Sequence, residues 1–370
     1  MAQAGRTAGA EAGGTATTPS ARAATGAPTL RDVAKAAGVS QSTVSRVLSG
    51  APTTIPIAAA TRERVLAAAK RLGYRPNPLA RGLTGARTML LGAIIRDITD
   101  PSFPSIIEAV TSEAKVHGYD VVLGHAQGTA DEALELWGVL ESRHCDAILL
   151  LGDLGDQPTL IESLQSTREP VVALWHGSRS TVLPTVNVDN RAAIMRVMEH
   201  LVDLGHERIA FVGKRQLGDI VERAAAYEEF TEGQGWRLRP GYLQEAVNEY
   251  EGGMEALERL MALPEPPTAV VGATDVLGLG VLHAALQQGL RVPQDLSVTG
   301  IDDIPATHIV MPPLTTMRMP VRTMVKAAID IAIESLGSDP DPNTETHPVF
   351  EAELVVRGST GTPEGTRTGA

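Results

Sequence analysis

The stretch Thr29–Gly50, TLRDVAKAAGVSQSTVSRVLSG, decides how the N-terminal part of the chain folds. Thr29 and Asp32 stand three residues apart, the spacing of a near capping box, and Leu30, Val33 and Ala34 mark one helical face. Gly38 stops that helix in a left-handed turn, and Ser40 opens a second helix whose Val44, Val47 and Leu48 point inward. After the loop Ser49–Ala60, Thr61 starts a third helix that ends at Leu72 with Gly73 behind it. Two short helices about a glycine turn, with a third supporting them, make a helix-turn-helix. Such a motif lays the N-terminal part of its second helix in the major groove of DNA. Gln41, Ser42 and Arg46 occupy that part. Gln pairs bidentately with adenine and Arg with guanine. Thr29, Ser40 and Thr43 offer hydroxyls and helix N-termini to phosphates, a role that competes with plain capping.

Charge agrees with this only locally. The 370 residues sum to −12, which is unpromising for a nucleic-acid binder. Residues 28–88, however, hold ten Lys/Arg against Asp32 and Glu63, a net of +8. A basic head on an acidic body is what phosphate contact requires, because screening limits each field to about 8–10 Å.

Outward from the head, residues 1–27 are Ala, Gly and Thr, which predicts a disordered tail without a secretory signal, and the default expectation is a cytoplasmic protein. No apolar run has the length that spans a bilayer, so no membrane partner is expected. Cys145 is the single cysteine, so no internal disulfide forms, and its place before Ala147–Leu151 suits a small buried hydrophobe. The segment 76–87, with PNPLARGLTG at 76–85, is bracketed by Pro and Gly and is expected to be a linker. Beyond it, apolar strands (Met89–Ile95, Asp120–Gly124, Ala147–Leu151, Val171–Leu174) alternate with helices (Ile106–His117, Asp131–Ser142). The alternation restarts after Asp189 with strands at 208–212, 269–272 and 296–301 and helices ending at 204, 234 and 289. Continuous apolar strands between helices predict parallel sheets covered on both faces. Two such units predict two lobes, with a ligand cleft outside the strand carboxyl ends. The fold class expected is therefore a small all-α headpiece followed by a two-lobed α/β sensor over 88–358, with a short polar tail at 359–370.

At this point the chain resembles the LacI/GalR family of repressors. Besides Thr29–Gly50, the resemblance rests on TRERVLAAAKRLGYRPN (61–77), LARGL (79–83), VDN (188–190), LGHERIAFVG (204–213), GLRVPQDLSVTGIDD (289–303) and PLTTM (313–317). It covers about residues 28–358. It implies a body like that of periplasmic sugar-binding proteins, with lobes of about 88–189 plus 315–340 and about 190–312 plus 341–358. It implies base contacts from Gln41, Ser42 and Arg46 and a phosphate contact from Asn77. It also implies a hinge helix at the linker, formed on operator DNA, that wedges Leu83 into the minor groove with Ala80 and Arg81 beside it. For the sensor, the resemblance implies effector contacts at Ser102, Phe103, Trp175, Arg223, Asn248, Thr274 and Asp302. Arg223 would supply a fork of donors and Asp302 two acceptors, which suits a polyhydroxylated ligand such as a sugar. Asp275 reads more readily as a helix cap than as a ligand group.

Four features depart from the family pattern. Trp175 and His176 stand where many relatives carry Asp-Arg, Asn248 where an aromatic is frequent, and Met319 where Gln is frequent. The loop 49–60 is also long for the family. The partners expected are double-stranded operator DNA, a small-molecule effector and a second copy of the chain, since one hinge helix cannot form a wedge alone. Neither a cofactor nor catalysis is expected. No Gly-rich phosphate loop, metal-ligand cluster or nucleophile elbow occurs in the sequence.

Overall fold

The computed structural model describes residues 28–49, 56–74, 87–126, 129–153, 164, 169–175, 183–213, 218–337 and 346–363. Asn77, Ala80, Arg81, Leu83 and His176 lie outside them, as do the expected tail 1–27 and nearly all of the linker. The chain divides into two compact units, Met1–Asn77 and Pro78–Ala370.

In the first unit, α1 (Leu30–Ala37), α2 (Gln41–Ser49) and α3 (Ala59–Leu72) close around one small core. Val33, Val44 and Val65 are completely buried there, one from each helix. The capping box is complete: the Asp32 amide donates to Thr29 Oγ1, and the Thr29 amide donates back to Asp32 Oδ2. Gly38 follows at φ +66°, a conformation that costs a side-chain-bearing residue about 1 kcal/mol or more. The third helix starts at Ala59, two residues before the expected Thr61. Ala58 precedes it with no side-chain cap, so no local signal marked the start.

The second unit holds two six-stranded sheets. The first contains β1 (Leu90–Ile95), β2 (Asp120–His125), β3 (Ala147–Leu151), β4 (Val171–Leu174), β5 (Thr185–Val188) and β11 (Val349–Phe350), in the order β11-β5-β4-β3-β1-β2. All of its pairings are parallel. Both faces are covered: Leu149 and Leu151 join the core shared with α4 (Phe103–Val116) and α11 (Val321–Glu334). Ile148 and Leu150 join a second core with Trp137 and Leu140 of α5 (Ala130–Ser142). Cys145 is buried in that second core, and burial pushes its thiol up to about 11. It is a packed small hydrophobe, as expected.

The second sheet contains β6 (Ile209–Val212), β7 (Leu243–Gln244), β8 (Ala269–Gly272), β9 (Ser297–Asp302), β10 (Thr315–Arg318) and β12 (Glu353–Val355), in the order β12-β10-β9-β8-β6-β7. Around it lie α6 (Asn190–Asp203), α7 (Gly218–Gly233), α8 (Tyr250–Met261), α9 (Asp275–Gln287) and α10 (Ala306–Ile309).

Two expectations about lobe membership need correction. β10 pairs with β9 of the second sheet, although 315–340 was expected wholly in the first lobe. β11 pairs with β5 of the first sheet, although 341–358 was expected wholly in the second. The chain therefore crosses between lobes after β5, after β10 and again between β11 and β12. The expected tail from 359 also needs correction, because Ser359 and Gly361 are tied into the second lobe. Ser359 is fully buried, its hydroxyl donating to Val298 O and accepting from the Thr315 amide. Gly361 O accepts from the His206 ring at 2.9 Å. These residues form a strap across the second lobe, and a composition argument could not see its partners.

Candidate functional sites

On the headpiece, Val44 and Val47 hold α2 against its neighbours, so the opposite face is turned to solvent. Gln41 and Ser42 are exposed there and Arg46 is half-buried. The Arg46 Nε donates to Ser42 O at 3.3 Å, which holds the long side chain along its own helix. Ser40 Oγ lies 2.8 Å from both Ser42 Oγ and Thr43 Oγ1, and accepts from the Thr43 amide at 3.1 Å. Thr29 Oγ1 donates to Asp32 Oδ2 at 2.7 Å. The hydroxyls of Thr29, Ser40 and Thr43 thus make local bonds at the two helix starts, and a phosphate would share or replace these bonds. The exposed Asp32 carboxyl is held below the usual range by the Thr29 bonds.

In the second unit, one cleft between the lobes encloses about 190 Å³ and is lined by all seven residues expected at the effector site. They come from the carboxyl ends of strands and the helix starts that follow, as the crevice rule for open α/β sheets requires. Ser102 and Phe103 begin α4, Trp175 ends β4, Arg223 lies on α7 and Asn248 precedes α8. Thr274 caps α9, and Asp302 ends β9.

The polar groups are ordered around two hubs. Asp100 accepts from Ser102 Oγ at 2.8 Å and from Arg96 Nη2 at 2.9 Å. It also accepts from Asn248 Nδ2 at 3.2 Å, a bond that crosses from one lobe to the other. A second crossing bond runs from the Gly218 amide to Asp153 Oδ2. Asn248 in turn accepts from Thr274 Oγ1 at 2.6 Å. Arg223, only 1% exposed, is the other hub. Its Nε donates to Asn190 Oδ1 at 2.8 Å and its Nη1 to Ala273 O at 2.6 Å, while Nη2 faces Asp219 at 3.4 Å.

Two residues that line the cleft have hydrogen-bonding capacity to spare. The Asp302 carboxylate accepts no hydrogen bond from the described residues, and Arg96 Nε is buried without a partner among them. Burial pushes the Asp302 carboxyl well up, reinforced by Asp275, Asp100 and Asp219 and opposed by Arg223. Its backbone sits at φ +127° and that of Trp175 at φ +57°, sparsely populated values that cluster at functional sites. Phe103, with the Arg96 guanidinium 5.6 Å from its ring centre, and buried Met319 supply apolar surface.

Sequence reasoning missed Arg96, Asp100, Asp153 and Asp219, all of which line the cleft. Arg96 and Asp153 directly follow or nearly follow β1 and β3, so the strand-end rule was the available signal. The reading of Asp275 as a cap is also corrected. Thr274 caps α9, its hydroxyl accepting from the Leu277 amide. Asp275 is fully buried behind the cleft, accepting from the Ile304 amide at 2.9 Å and from Thr316 Oγ1 at 2.5 Å. Gly300 is obligatory beside it, because a Cβ there would collide with the Asp275 carboxylate.

Burial pushes Asp275 up to about 6, above its ordinary 3.8. The folded lobe therefore favours the protonated acid. Its stabilising contribution is complete below about pH 4 and is lost as pH rises through about 6, an effect of about 3 kcal/mol at most. Asp275→Asn keeps an acceptor for Ile304 and offers an N–H to Thr316. Melting of the wild type should fall relative to Asp275→Asn between pH 4.5 and 7. Parallel melting curves over that range would remove the buried-acid argument.

A DNA-reading headpiece joined in one chain to a two-lobed body with a polar cleft defines a ligand-binding transcription factor. Residues 29–77 match the model of bacterial regulatory proteins of the lacI family, and residues 198–360 match the periplasmic binding protein-like domain. The HTH-type transcriptional repressor CytR of Escherichia coli K12 is 32% identical over 305 residues, covering 82% of this chain and 89% of that one. The regulator MalR of Streptomyces coelicolor is 35% identical, covering 84% and 91%. Among solved structures, the lac repressor dimer bound to operator and the anti-inducer ONPF is similar with a TM-score of 0.78 at 27% identity, covering 90% and 99%. The regulator CelR in complex with cellobiose follows at 0.65 and 29%, covering 90% and 99%. The chain belongs to the lacI family of bacterial regulatory proteins. It is a DNA-binding transcription regulator and not an enzyme.

Proposed function

We propose that the chain is a cytoplasmic repressor that binds a palindromic operator as a homodimer and answers to an uncharged, polyhydroxylated effector held between its lobes. The observation that carries this is the convergence of Ser102, Phe103, Trp175, Arg223, Asn248, Thr274 and Asp302, from six separate segments, on one cleft. Asp302 offers acceptors to hydroxyls, and the unused N–H groups of Arg223 and Arg96 offer donors to their oxygens. The cleft also carries Asp100, Asp153, Asp219 and Asp303, and its two arginines already face carboxylates. A phosphorylated or carboxylated ligand would meet net repulsion there, so a neutral sugar or nucleoside fits better. The likeness to the cellobiose complex supports the same class of ligand. No helix among the described residues is long and apolar enough to cross a membrane, which agrees with a cytoplasmic site of action.

Gln41, Ser42 and Arg46 read bases in this proposal. Thr29, Ser40, Thr43 and Asn77 meet phosphates, and Leu83 enters the minor groove flanked by Ala80 and Arg81. The effector acts by preferring one arrangement of the lobes, and it shifts the equilibrium only by its differential affinity. The crossing bonds Asn248–Asp100 and Gly218–Asp153 hold the lobes in the arrangement seen here. Gel retardation of the gene's own upstream DNA tests the reading. Binding should be salt-sensitive and palindrome-dependent, and sugars or nucleosides that raise the melting temperature should alter it. Protein that ignores every duplex at low ionic strength, with and without such metabolites, is not this repressor.

Dimerisation has its own signature. Ile309 and Met311, at and just beyond the end of α10, leave 83% and 79% of their surfaces exposed. Large apolar residues so exposed and so close in sequence suit burial against a second copy. The double variant Ile309→Asp/Met311→Asp should scatter light at half the mass of the wild type while keeping its circular dichroism. Unchanged mass would place the interface elsewhere.

A further inference from the structure

Outside the cleft, two helices of the first lobe bring three metal-binding side chains together. Glu113 and His117 stand four residues apart at the C-terminal end of α4 and so share one face. Asp330 lies on α11, which packs along α4. His117 Nε2 is 3.5 Å from Glu113 Oε1 and 3.5 Å from Asp330 Oδ1. One donor atom from each of the three lies within 4.8 Å of the others.

We propose that Glu113, His117 and Asp330 bind a divalent transition metal, with zinc as the first occupant. Tetrahedral zinc with bonds of about 2.0–2.2 Å to nitrogen and oxygen holds its ligand atoms about 3.4 Å apart. The two distances from His117 already match that edge. The third closes by rotation of side chains that stay 23% and 33% exposed at Glu113 and Asp330. Their exposure also leaves the fourth position to water. An imidazole with two carboxylates is a donor set that zinc accepts readily. His117 caps the C-terminus of α4, where the unpaired carbonyls carry partial negative charge that favours a cation.

The opposing group is Lys326, whose ammonium bonds Asp330 Oδ2 at 2.5 Å. It leaves Oδ1 facing His117. Glu334, also near Lys326, adds a further negative charge. A metal here joins α4 to the helix that the chain enters from β10 of the other lobe. It acts as a staple on the first lobe, independent of the effector.

The test is titration of metal-stripped full-length protein with Zn²⁺ alone, in a non-coordinating buffer, by calorimetry and thermal melting. One equivalent should bind and raise the melting temperature. His117→Ala should lose the shift and weaken binding by more than the roughly 10–100-fold that even an outer-shell change costs. Lys326→Gln should tighten it. The chain has nine histidines, so His283→Ala serves as the control and should behave as wild type. If His117→Ala folds poorly, Glu113→Gln answers the same question, and the visible bands of bound Co²⁺ report the ligand set directly. Zinc uptake unchanged in His117→Ala or Glu113→Gln overturns the site, as does a wild type that takes up no metal.

Discussion

A chain carrying both Gln41→Ala and Arg46→Ala should lose about 2–6 kcal/mol of discrimination per operator half-site, roughly 30-fold or more in affinity. The two side chains lie on the solvent face of α2, while Val44 and Val47 hold that helix in the headpiece core. Removing them opens no cavity. The contact from Arg46 Nε to Ser42 O at the helix surface goes with them, and surface changes of this kind stay within about 0.5 kcal/mol. Folding and melting should therefore be unchanged. The two substitutions also separate in salt. Gln41→Ala should weaken operator binding with no change in the slope against salt concentration, because it removes no charge. Arg46→Ala removes a cation, and any phosphate neutralised by it reduces that slope by about one. Quantitative retardation on operator and on scrambled DNA makes the measurement. Equal loss on both sequences would show that these residues supply charge and not base reading.

What the sequence made legible was local. The Thr29–Asp32 box and Gly38 marked both ends of α1 because caps act within four residues. The start of α3 was misplaced because Ala58 offers no cap. Buried strands such as β3 were evident from unbroken apolar runs. Which sheet a late strand joins was not, because pairing partners lie far away in sequence. Thr315–Arg318 finds its neighbours at Thr299–Asp302, and Val349–Phe350 at Asn187–Val188. No periodicity within four residues encodes such a choice. The strap at Ser359–Gly361 was hidden for the same reason: its value lies in Val298, Thr315 and His206, distant groups that it satisfies.

The candidate cleft divides in the same way. Its seven expected residues came from resemblance, and they meet in space. The carboxylates that set its charge did not come from the sequence. Asp100 reads there as one loop aspartate among several, and only the fold shows it accepting from Arg96, Ser102 and Asn248 at once. Asp275 shows the reverse error. Its place at a helix start suggested a cap, but the chain buries it to join β9, β10 and α9.

Arg223→Met should abolish the response to any effector that the melting screen identifies, while operator binding in its absence persists. Of the five N–H groups on the guanidinium, one meets Asn190, one Ala273 O, and Nη2 looks toward Asp219 at a long 3.4 Å. At least two remain for ligand oxygens inside the cleft. Two charge-assisted hydrogen bonds at about 1.5–3 kcal/mol each correspond to about 100-fold or more in affinity. Removing a buried cation also strips partners from its neighbours, which costs up to about 3–5 kcal/mol in a closed interior. Here the cost is smaller on one side, because Asp219 keeps 23% of its side chain in water. Arg223→Lys separates the two effects. It retains the positive charge beside Asp219 and Asp302 but loses the planar fork that addresses Asn190, Ala273 and a ligand together. Lysine should therefore recover much of the stability and little of the effector affinity. Calorimetry with the identified ligand, beside melting of the free proteins, measures both. If Arg223→Lys binds ligand as the wild type does, the fork is not what the effector uses, and Asp302 and Arg96 must carry its recognition.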